Sequence, residues 1–217
     1  MRYLIIFLAT IGLACAAAPT ELFNGKDLTG WELVASPATD IAAVCQVTAD
    51  GGLAVAGKPI GYLATTGIYQ DYRLHLEYRW TAKSDRPANS GVLVHIASGP
   101  VDRNTWPLCF QIQTKEGRAG DLLPMAGARF AEALSTAPDA KTPQLDRLGL
   151  NSEKPVGEWN SVEIVCRGDT IGCSINGVHQ NRVTKCEPHA GRVGIQLEGF
   201  PFELRNVLLA PLDLLTR

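Results

Sequence analysis

The chain has 217 residues, of which 19% are charged, and its formal net charge is −2. No basic block is available to neutralise phosphates, so nucleic-acid binding is not expected. The 21 glycines and 13 prolines favour a turn-rich β protein over a helical one.

The N-terminus has the pattern of an export signal. Arg2 supplies a short positive region, Leu4–Leu13 an apolar run, and Ala14–Ala18 a zone of small residues for cleavage. The apolar run is too short to span a bilayer comfortably. We predict that residues 1–18 are a signal peptide and that residues 19–217 form a single domain of a periplasmic or secreted protein, with no transmembrane span in the mature chain.

Cys15 keeps a second form of export open, in which it becomes the lipidated first residue and anchors the protein. Gly12 fits this lipoprotein alternative poorly, because a large aliphatic residue is expected at its position. Either route gives an exported protein, and the sequence does not indicate an oligomeric state.

The cysteines that follow the signal could form disulfides in an oxidising compartment. They are Cys45, Cys109, Cys166, Cys173 and Cys186. Their odd number leaves at least one thiol free or paired outside the chain. Cys166 with Cys186, or Cys166 with Cys173, are the candidate pairs. A role as small apolar core residues is at least as well supported for each of them, and no Cys/His spacing suggests zinc.

Alternating apolar and polar residues predict a series of strands. After an opening strand-edge segment at residues 22–31, the predicted strands are Leu53–Val55, Ile60–Ala64, Tyr72–Trp80, Gly91–Ile96, Leu108–Gln113, Val162–Cys166, Ile171–Ile175, Val193–Glu198 and Phe202–Leu209. Gly168–Asp169 and Asn176–Gly177 tolerate the positive φ of tight hairpin turns. The last third of the chain is therefore expected to be an antiparallel meander.

One long segment, residues 127–155, is rich in Ala, Pro, Thr and Asp and has weak periodicity. A loop of this length in a compact domain is usually a lid or a disordered excursion. Within it, Ala128–Leu134 could hold one helical turn. The many strands and the near absence of helical pattern predict an all-β fold, an antiparallel jelly-roll sandwich of two sheets.

Side chains alternate across a strand, so position parity assigns them to faces. The polar set that is expected to face outward, opposite the apolar set, is His75, Glu77, Arg79, His95, Gln111, Gln113, Gln196 and Glu198. Carboxylates, imidazoles and amides of this kind suit hydroxyl recognition and proton transfer. The alternative is a solvated face with cross-strand ion pairs. Convergence of these residues requires that their strands share a sheet.

Successive motifs along almost the whole mature chain resemble one family. The motifs are Leu22–Trp31, Asn89–His95, Trp106–Pro107, Gln111–Gln113, Gly117–Asp121, Glu153–Asn160, Asn176–Gly177, Gly194–Gln196 and Phe202–Asn206. The family is that of the 3-keto-disaccharide hydrolases. The resemblance implies a concanavalin A-like jelly roll and an exported protein that acts on a small oxidised disaccharide or glycoside.

The implied reaction follows from the chemistry of the ketone. A carbonyl at C3 of a sugar acidifies the C2 proton, so a positioned base can remove it and expel the C1 aglycone by β-elimination. Hydration of the resulting enone completes a net hydrolysis. The site needs a base near C2, donors for the enolate oxygen and an acid for the leaving group.

Roles in this reaction are assigned as hypotheses. His95 or Glu77 is the candidate base, Gln113 and Arg79 the candidate oxygen stabilisers, and Asp121 an orienting or acid group, although an Asx turn would equally explain Asp121. The candidate substrate-binding residues are Arg79, Gln111, Gln113, Gln196, Glu198 and Trp106. Trp159 could also stack on a sugar, but a core position fits it better.

No cofactor is required by these roles. His95, Glu77 and Asp121 could together hold a divalent metal ion, but their spacing does not specify one. The metal requirement is therefore left open.

One residue departs from the family pattern. Related sequences carry Glu at the position of Gln111, and an amide can neither serve as a base nor readily hold a cation. A non-catalytic, lectin-like glycan-binding domain on the same fold is therefore the alternative function. An ordinary glucanase ranks last, because no strand carries the alternating carboxylates expected of one.

Overall fold

The computed structural model describes residues 18–102, 105–137 and 139–212. The predicted signal peptide up to residue 17, and with it Cys15, lies outside the described residues. The strands are β1 Thr20–Glu21, β2 Trp31–Ser36, β3 Cys45–Val47, β4 Leu53–Val55, β5 Ile60–Thr65, β6 Tyr72–Trp80, β7 Gly91–Ile96, β8 Pro100–Asp102, β9 Trp106–Pro107, β10 Cys109–Gln113, β11 Leu122–Met125, β12 Asn160–Arg167, β13 Thr170–Ile175, β14 Val178–Val183, β15 Arg192–Leu197 and β16 Phe202–Pro211. One short helix, α1, spans Ile41–Val44.

Two large antiparallel sheets make up the fold, which confirms the predicted all-β sandwich. The eight-stranded sheet has the order β14-β13-β12-β6-β16-β4-β3, with β1 added against β16. The six-stranded sheet has the order β11-β10-β7-β15-β5-β2, and β8 and β9 form a separate small ribbon.

The hydrophobic core lies between the two sheets and consists of the apolar parity set of each. From β6 it receives Leu74 and Leu76, and from β10 it receives Phe110 and Ile112, all less than 2% exposed. Because the central strands of both sheets have one face in this core, the opposite faces are left for solvent or ligand.

The predicted hairpin turns are confirmed, and the predicted meander is confirmed in part. Arg167 pairs with Thr170, and Ile175 pairs with Val178, so both turns contain two residues. Their glycines have φ of 54° at Gly168 and 79° at Gly177, which is why these positions suit glycine. Strands β12, β13 and β14 therefore form a meander, but β15 belongs to the other sheet.

One other expectation is wrong. Residues 128–134 contain no helical turn, because Arg129 forms a β-bridge with Glu187 instead. Of the two alternatives for the cysteines, the structure favours small core residues over disulfides: Cys45, Cys109, Cys166, Cys173 and Cys186 are all free and buried.

These thiols behave as small core residues. Loss of solvation raises the pKa of Cys166 and of Cys173 to about 12, so neither becomes a thiolate near neutrality.

Among the described residues, no helix is long and apolar enough to cross a membrane.

Candidate functional site

The outer face of the six-stranded sheet carries a cavity of about 380 Å³. Its floor comes from β10 and β15, and one wall comes from β11. A second wall is formed by Lys141–Gln144, which belong to the long segment 127–155. This segment is tied to the edge of the sheet because Leu145 exchanges backbone hydrogen bonds of 2.8 and 2.9 Å with Leu122. The loop therefore forms part of the site.

Three glutamines meet at the floor of the cavity. Nε2 of Gln111 donates to Oε1 of Gln113 and to Oε1 of Gln196, both at 3.0 Å. The second bond crosses β7, which lies between β10 and β15. It can do so because the residue beneath it is Gly91: a Cβ there would lie 2.6 Å from Cγ and Nε2 of Gln111.

This network fixes which way the amides face. Both protons of the Gln111 amide nitrogen are used, and the oxygens of Gln113 and Gln196 accept them. The Nε2 groups of Gln113 and Gln196 donate to no acceptor among the described residues, so they are left as donors for the cavity that both residues line. Buried and fixed donors of this kind can stabilise an oxyanion without reorganising.

Glu198 lies at the rim, two residues after Gln196 and on the same side of the chain. Its Oε2 accepts a hydrogen bond of 2.7 Å from Nδ2 of Asn89. Oδ1 of Asn89 and Oε1 of Gln111 are buried acceptors that have no donor among the described residues. Leaving a buried acceptor unsatisfied costs free energy, so the polar groups at this end of the cavity are not arranged for stability alone.

Arg118 extends the cavity on the side of the loop. Its Nε lies 2.6 Å from Oδ2 of Asp121, and its Nη2 lies 2.6 Å from Oδ1 of Asp146. Asp121 is buried, and loss of solvation raises its pKa, although the Arg147 N–H and the nearby Arg118 act in the opposite direction. The cavity is lined by Arg118, not by Asp121. The orienting or acid role of Asp121 therefore stays a prediction, and what the structure shows is that its carboxylate holds the Arg118 guanidinium.

The same sheet face is apolar beside the glutamines. Tyr62, Leu93, Trp106 and Cys109 form a small cluster separate from the main core. Trp106, a candidate stacking residue, lines the cavity and is only 7% exposed. The face therefore combines a polar floor with an aromatic edge, as carbohydrate sites commonly do.

His95 does not lie on this face, so its predicted place is wrong. It is fully buried in the interior, where its ring makes edge contacts with Tyr72 and Phe110 at centroid distances of 6.0 and 6.3 Å. The cause is a β-bulge: β7 has one extra residue opposite Arg192–Gly194, and His95 has φ of 54°. The bulge inverts the parity of the strand end, so His95 turns inward, while Ile96, predicted inward, joins the small apolar cluster.

Glu77 and Arg79 are also separated from the glutamines, because β6 belongs to the eight-stranded sheet. There they form cross-strand ion pairs, Glu77 with Arg205 and Arg79 with Glu203. His75 pairs with Glu163 in the same way. The alternative interpretation of this face as a solvated ladder of ion pairs is the correct one.

Trp159 lies on the same outer face, and its predicted place in the core is wrong. The Arg79 and Arg205 guanidinium carbons lie 4.6 and 4.1 Å from its ring centroid.

The suggested metal ligands do not converge. His95 is interior, Glu77 is on the outer face of the eight-stranded sheet, and Asp121 is engaged by Arg118. Within the described ranges, no group of three or more His, Cys, Asp or Glu residues could hold a metal ion.

The sequence patterns did not identify several residues that line the cavity, among them Asn89, Asp102, Lys115, Arg118 and Lys141. Arg118 and Asn89 lie in motifs that the resemblance used, but parity does not apply outside strands. The clearest missed signal was a glycine at the start of a predicted strand, because Gly91 marks a close approach to the backbone.

A Gly91→Ala substitution tests whether the glutamine network matters. The new Cβ would displace Gln111 and break both of its amide bonds, so we expect a loss of about 1–3 kcal/mol in stability and about tenfold weaker binding of the small glycoside that the family resemblance implies as a ligand. Urea denaturation and calorimetric titration measure these quantities.

Gly172→Ala is the matched control. Gly172 lies in a strand of the other sheet, and a Cβ there would meet nothing nearer than Asn181 O at 3.8 Å. Equal effects of the two substitutions on ligand affinity would contradict the role of the network.

A two-sheet sandwich with an amide-lined cavity on one open sheet defines a carbohydrate-active or carbohydrate-binding protein of the concanavalin A-like class. Within that class, the chain belongs to the 3-keto-alpha-glucoside-1,2-lyase-like domain family, whose model matches residues 18–210. The family resemblance seen in the sequence motifs is thereby confirmed. No curated protein matches the chain significantly.

Solved structures with the same fold include both catalytic and binding proteins. A protein assigned as a glycosyl hydrolase from Parabacteroides distasonis has a TM-score of 0.64 at 19% identity, over 90% of this chain and 94% of that one. Carbohydrate-binding module CBM66 from Bacillus subtilis has a TM-score of 0.57 at 8% identity, over 85% and 97%. The β-glucanase of Bacillus licheniformis has a TM-score of 0.53 at 10% identity, over 91% and 99%. These similarities establish the fold alone.

Proposed function

We propose that this protein is an exported enzyme that binds a 3-keto-glycoside in the cavity of the six-stranded sheet and cleaves it by C2 proton abstraction and β-elimination. The observation that carries the proposal is the lining of one cavity by the Glu198 carboxylate together with the Gln113 and Gln196 amide donors. Family membership supports the substrate class. Export is supported by the signal-like pattern of residues 1–18.

The first step requires a base and an oxyanion site. Glu198 takes the C2 proton, and the electrons of the C2–H bond move to the C3 oxygen, which becomes an enolate. The Nε2 groups of Gln113 and Gln196 donate to that oxygen, since they have no other acceptor among the described residues.

The second step releases the aglycone. The enolate collapses, the C1–C2 double bond forms, and the C1–O bond breaks with its electron pair on the leaving oxygen. Lys115, which lines the same cavity as Glu198, supplies a proton to that oxygen. Addition of water across the double bond then places a hydroxyl on C1 and a proton on C2, so the sum of the steps is a hydrolysis.

A specific observation favours a second function, non-catalytic glycan binding. The centre of the sheet face is built from neutral amides, and the family resemblance implies a glutamate at the position of Gln111. Amides bind hydroxyl groups well but do not exchange protons. In this case the protein would hold a glycan in the same cavity without turning it over.

One experiment distinguishes the two functions. The purified mature protein is incubated with a 3-keto-disaccharide and, in parallel, with the unoxidised parent disaccharide, and free sugar is measured by chromatography. Release from the keto compound only is the expected result. Saturable binding of either compound in calorimetry, without any release of sugar, would contradict the proposed enzymatic activity and support non-catalytic glycan binding.

A further inference from the structure

A second cavity, of about 580 Å³, opens beside the first. The two cavities share three lining residues, Asn89, Lys115 and Glu198. Because Glu198 and Lys115 are the proposed base and acid, the boundary between the cavities is where the scissile bond would lie. A ligand whose sugar occupies the first cavity would therefore extend its aglycone into the second.

The second cavity has a fixed floor. The N–H of Gly199 donates to the carbonyl of Gly57 at 2.8 Å. A Cβ on Gly57 would lie 1.9 Å from the carbonyl oxygen of Phe200, so these two turns pack backbone to backbone. This contact sets the position of Lys58 and Pro59 relative to Phe200, and the compartment is thus formed before any ligand binds.

The walls of the second cavity differ from those of the first in polarity. Pro59, Pro87 and Ile60 contribute apolar surface, and Ile60 is 46% exposed. The Arg86 guanidinium lies 5.0 Å from the ring centroid of Phe200, with which it forms a cation–π pair. Flat apolar surfaces of this kind favour a ring over a freely hydrated chain.

The charge of the second cavity is mainly positive. Lys58, Arg86 and Lys115 all line it, and none of them forms an ion pair with a carboxylate of the described residues. Among the described lining residues, Glu198 is the one acidic side chain; it accepts from Asn89 and makes a further interaction. Three cations facing one carboxylate attract an anionic group.

From this arrangement we infer that the second cavity is an aglycone compartment that selects a leaving group with an apolar ring and a negative charge, such as an aryl carboxylate. The inference rests on the proposed function for the identity of the sugar. The apolar walls hold the ring, and Lys58 and Arg86 hold the carboxylate.

The test compares two 3-keto-α-glucosides with p-carboxyphenyl and p-carbamoylphenyl aglycones, which have nearly the same shape and differ in charge. The ratio of their kcat/KM values is measured for the wild type, Arg86→Gln and Lys58→Gln, so that the intrinsic leaving-group difference cancels between variants. We expect each substitution to lower the preference for the carboxylate about two- to fivefold, since exposed charge pairs contribute at this level. Added salt should weaken the preference in the wild type.

Lys83→Gln is the matched control, because Lys83 is exposed, lies in the same loop as Arg86 and lines neither cavity. An unchanged ratio in Arg86→Gln and Lys58→Gln, or an equal change in Lys83→Gln, would overturn the inference.

A binding assay separates this inference from the proposed reaction. The unoxidised p-carboxyphenyl and p-carbamoylphenyl α-glucosides cannot eliminate, and their affinities are measured by calorimetry with the same variants. Charge-selective binding that is lost in Arg86→Gln supports the aglycone compartment, even if no keto-glycoside is turned over. The absence of turnover would contradict only the proposed enzymatic activity. Equal affinities of the wild type for the two glucosides would contradict the inferred aglycone compartment but would not affect the proposed reaction.

Discussion

Replacement of Glu198 by Gln is expected to lower turnover of a 3-keto-glycoside by about 10²–10⁴-fold, the usual range for loss of a general base. The substitution keeps the shape of the side chain and its ability to accept from Asn89. The capacity to take the C2 proton is removed together with one negative charge. Steady-state kinetics should therefore show a fall in kcat with KM nearly unchanged, and calorimetry should show that the unoxidised glycoside still binds.

Glu203→Gln provides the control for this substitution. Glu203 is a carboxylate on the outer face of the eight-stranded sheet, where it pairs with Arg79 at 2.6 Å. Its loss changes the charge by the same amount but leaves the cavity intact, so turnover should stay within about twofold of the wild type, with at most the small stability cost of a surface ion pair. Equal kcat values for Glu198→Gln and the wild type would assign the base to another residue.

The sequence predicted the sheets better than it predicted how their faces meet. Within a regular strand, parity is reliable, and Gln111, Gln113 and Gln196 were placed on the correct side. Sheet membership is set by long-range pairing that local alternation does not encode. Glu77 and Gln113 have the same pattern around them, yet β6 and β10 belong to different sheets.

Local departures from regularity explain most of the remaining differences. A single extra residue in β7 turned His95 into the core, and nothing in its flanking sequence distinguishes a bulge from a continuous strand. Strand β14 was not predicted because His179, Gln180 and Asn181 obscure its alternation. The structure buries the last two, and Asn181 donates to the Gly120 carbonyl at 2.8 Å. Polar residues that are buried with backbone partners do not produce the alternation of apolar and polar residues by which a strand is predicted.

The inward position of His95 has a consequence for stability. Burial lowers the pKa of its imidazole to about 4, with a smaller contribution from nearby His189, while the carbonyl of Pro188 and Asp71 act in the opposite direction. The unfolded chain titrates near the ordinary value of about 6.5. Between these two pH values the unfolded state binds more protons, so the free energy of unfolding falls as the pH is lowered. The expected loss is about 3 kcal/mol, absent above pH 6.5 and complete below pH 4.

Glu153 opposes this effect. Partial burial raises the pKa of its carboxyl to about 7, although the N–H groups of Gly117 and Ala119 and the charge of Arg147 act against the shift. Here the folded state binds more protons, so this stabilisation is present at low pH and is lost as the pH rises through 7. Because Glu153 is only half-buried, its contribution should be the smaller of the two. The wild-type stability should therefore decline only weakly between pH 7 and pH 4.5.

Substitution separates the two titrations. In Glu153→Gln the loss of stability in acid that is due to His95 should no longer be offset by Glu153, and in His95→Phe stability should rise on acidification. Phe retains the aromatic contacts with Tyr72 and Phe110. The substitution loses the hydrogen bond to the Pro188 carbonyl and places Phe at a positive φ. Both effects lower stability by the same amount at every pH, so they do not change how stability depends on pH. Urea denaturation at pH 4.5 and pH 7, with the double variant completing the cycle, measures the slopes. A His95→Phe protein that loses as much stability in acid as the wild type would show that the imidazole is protonated inside the fold, and would contradict its burial as a neutral base.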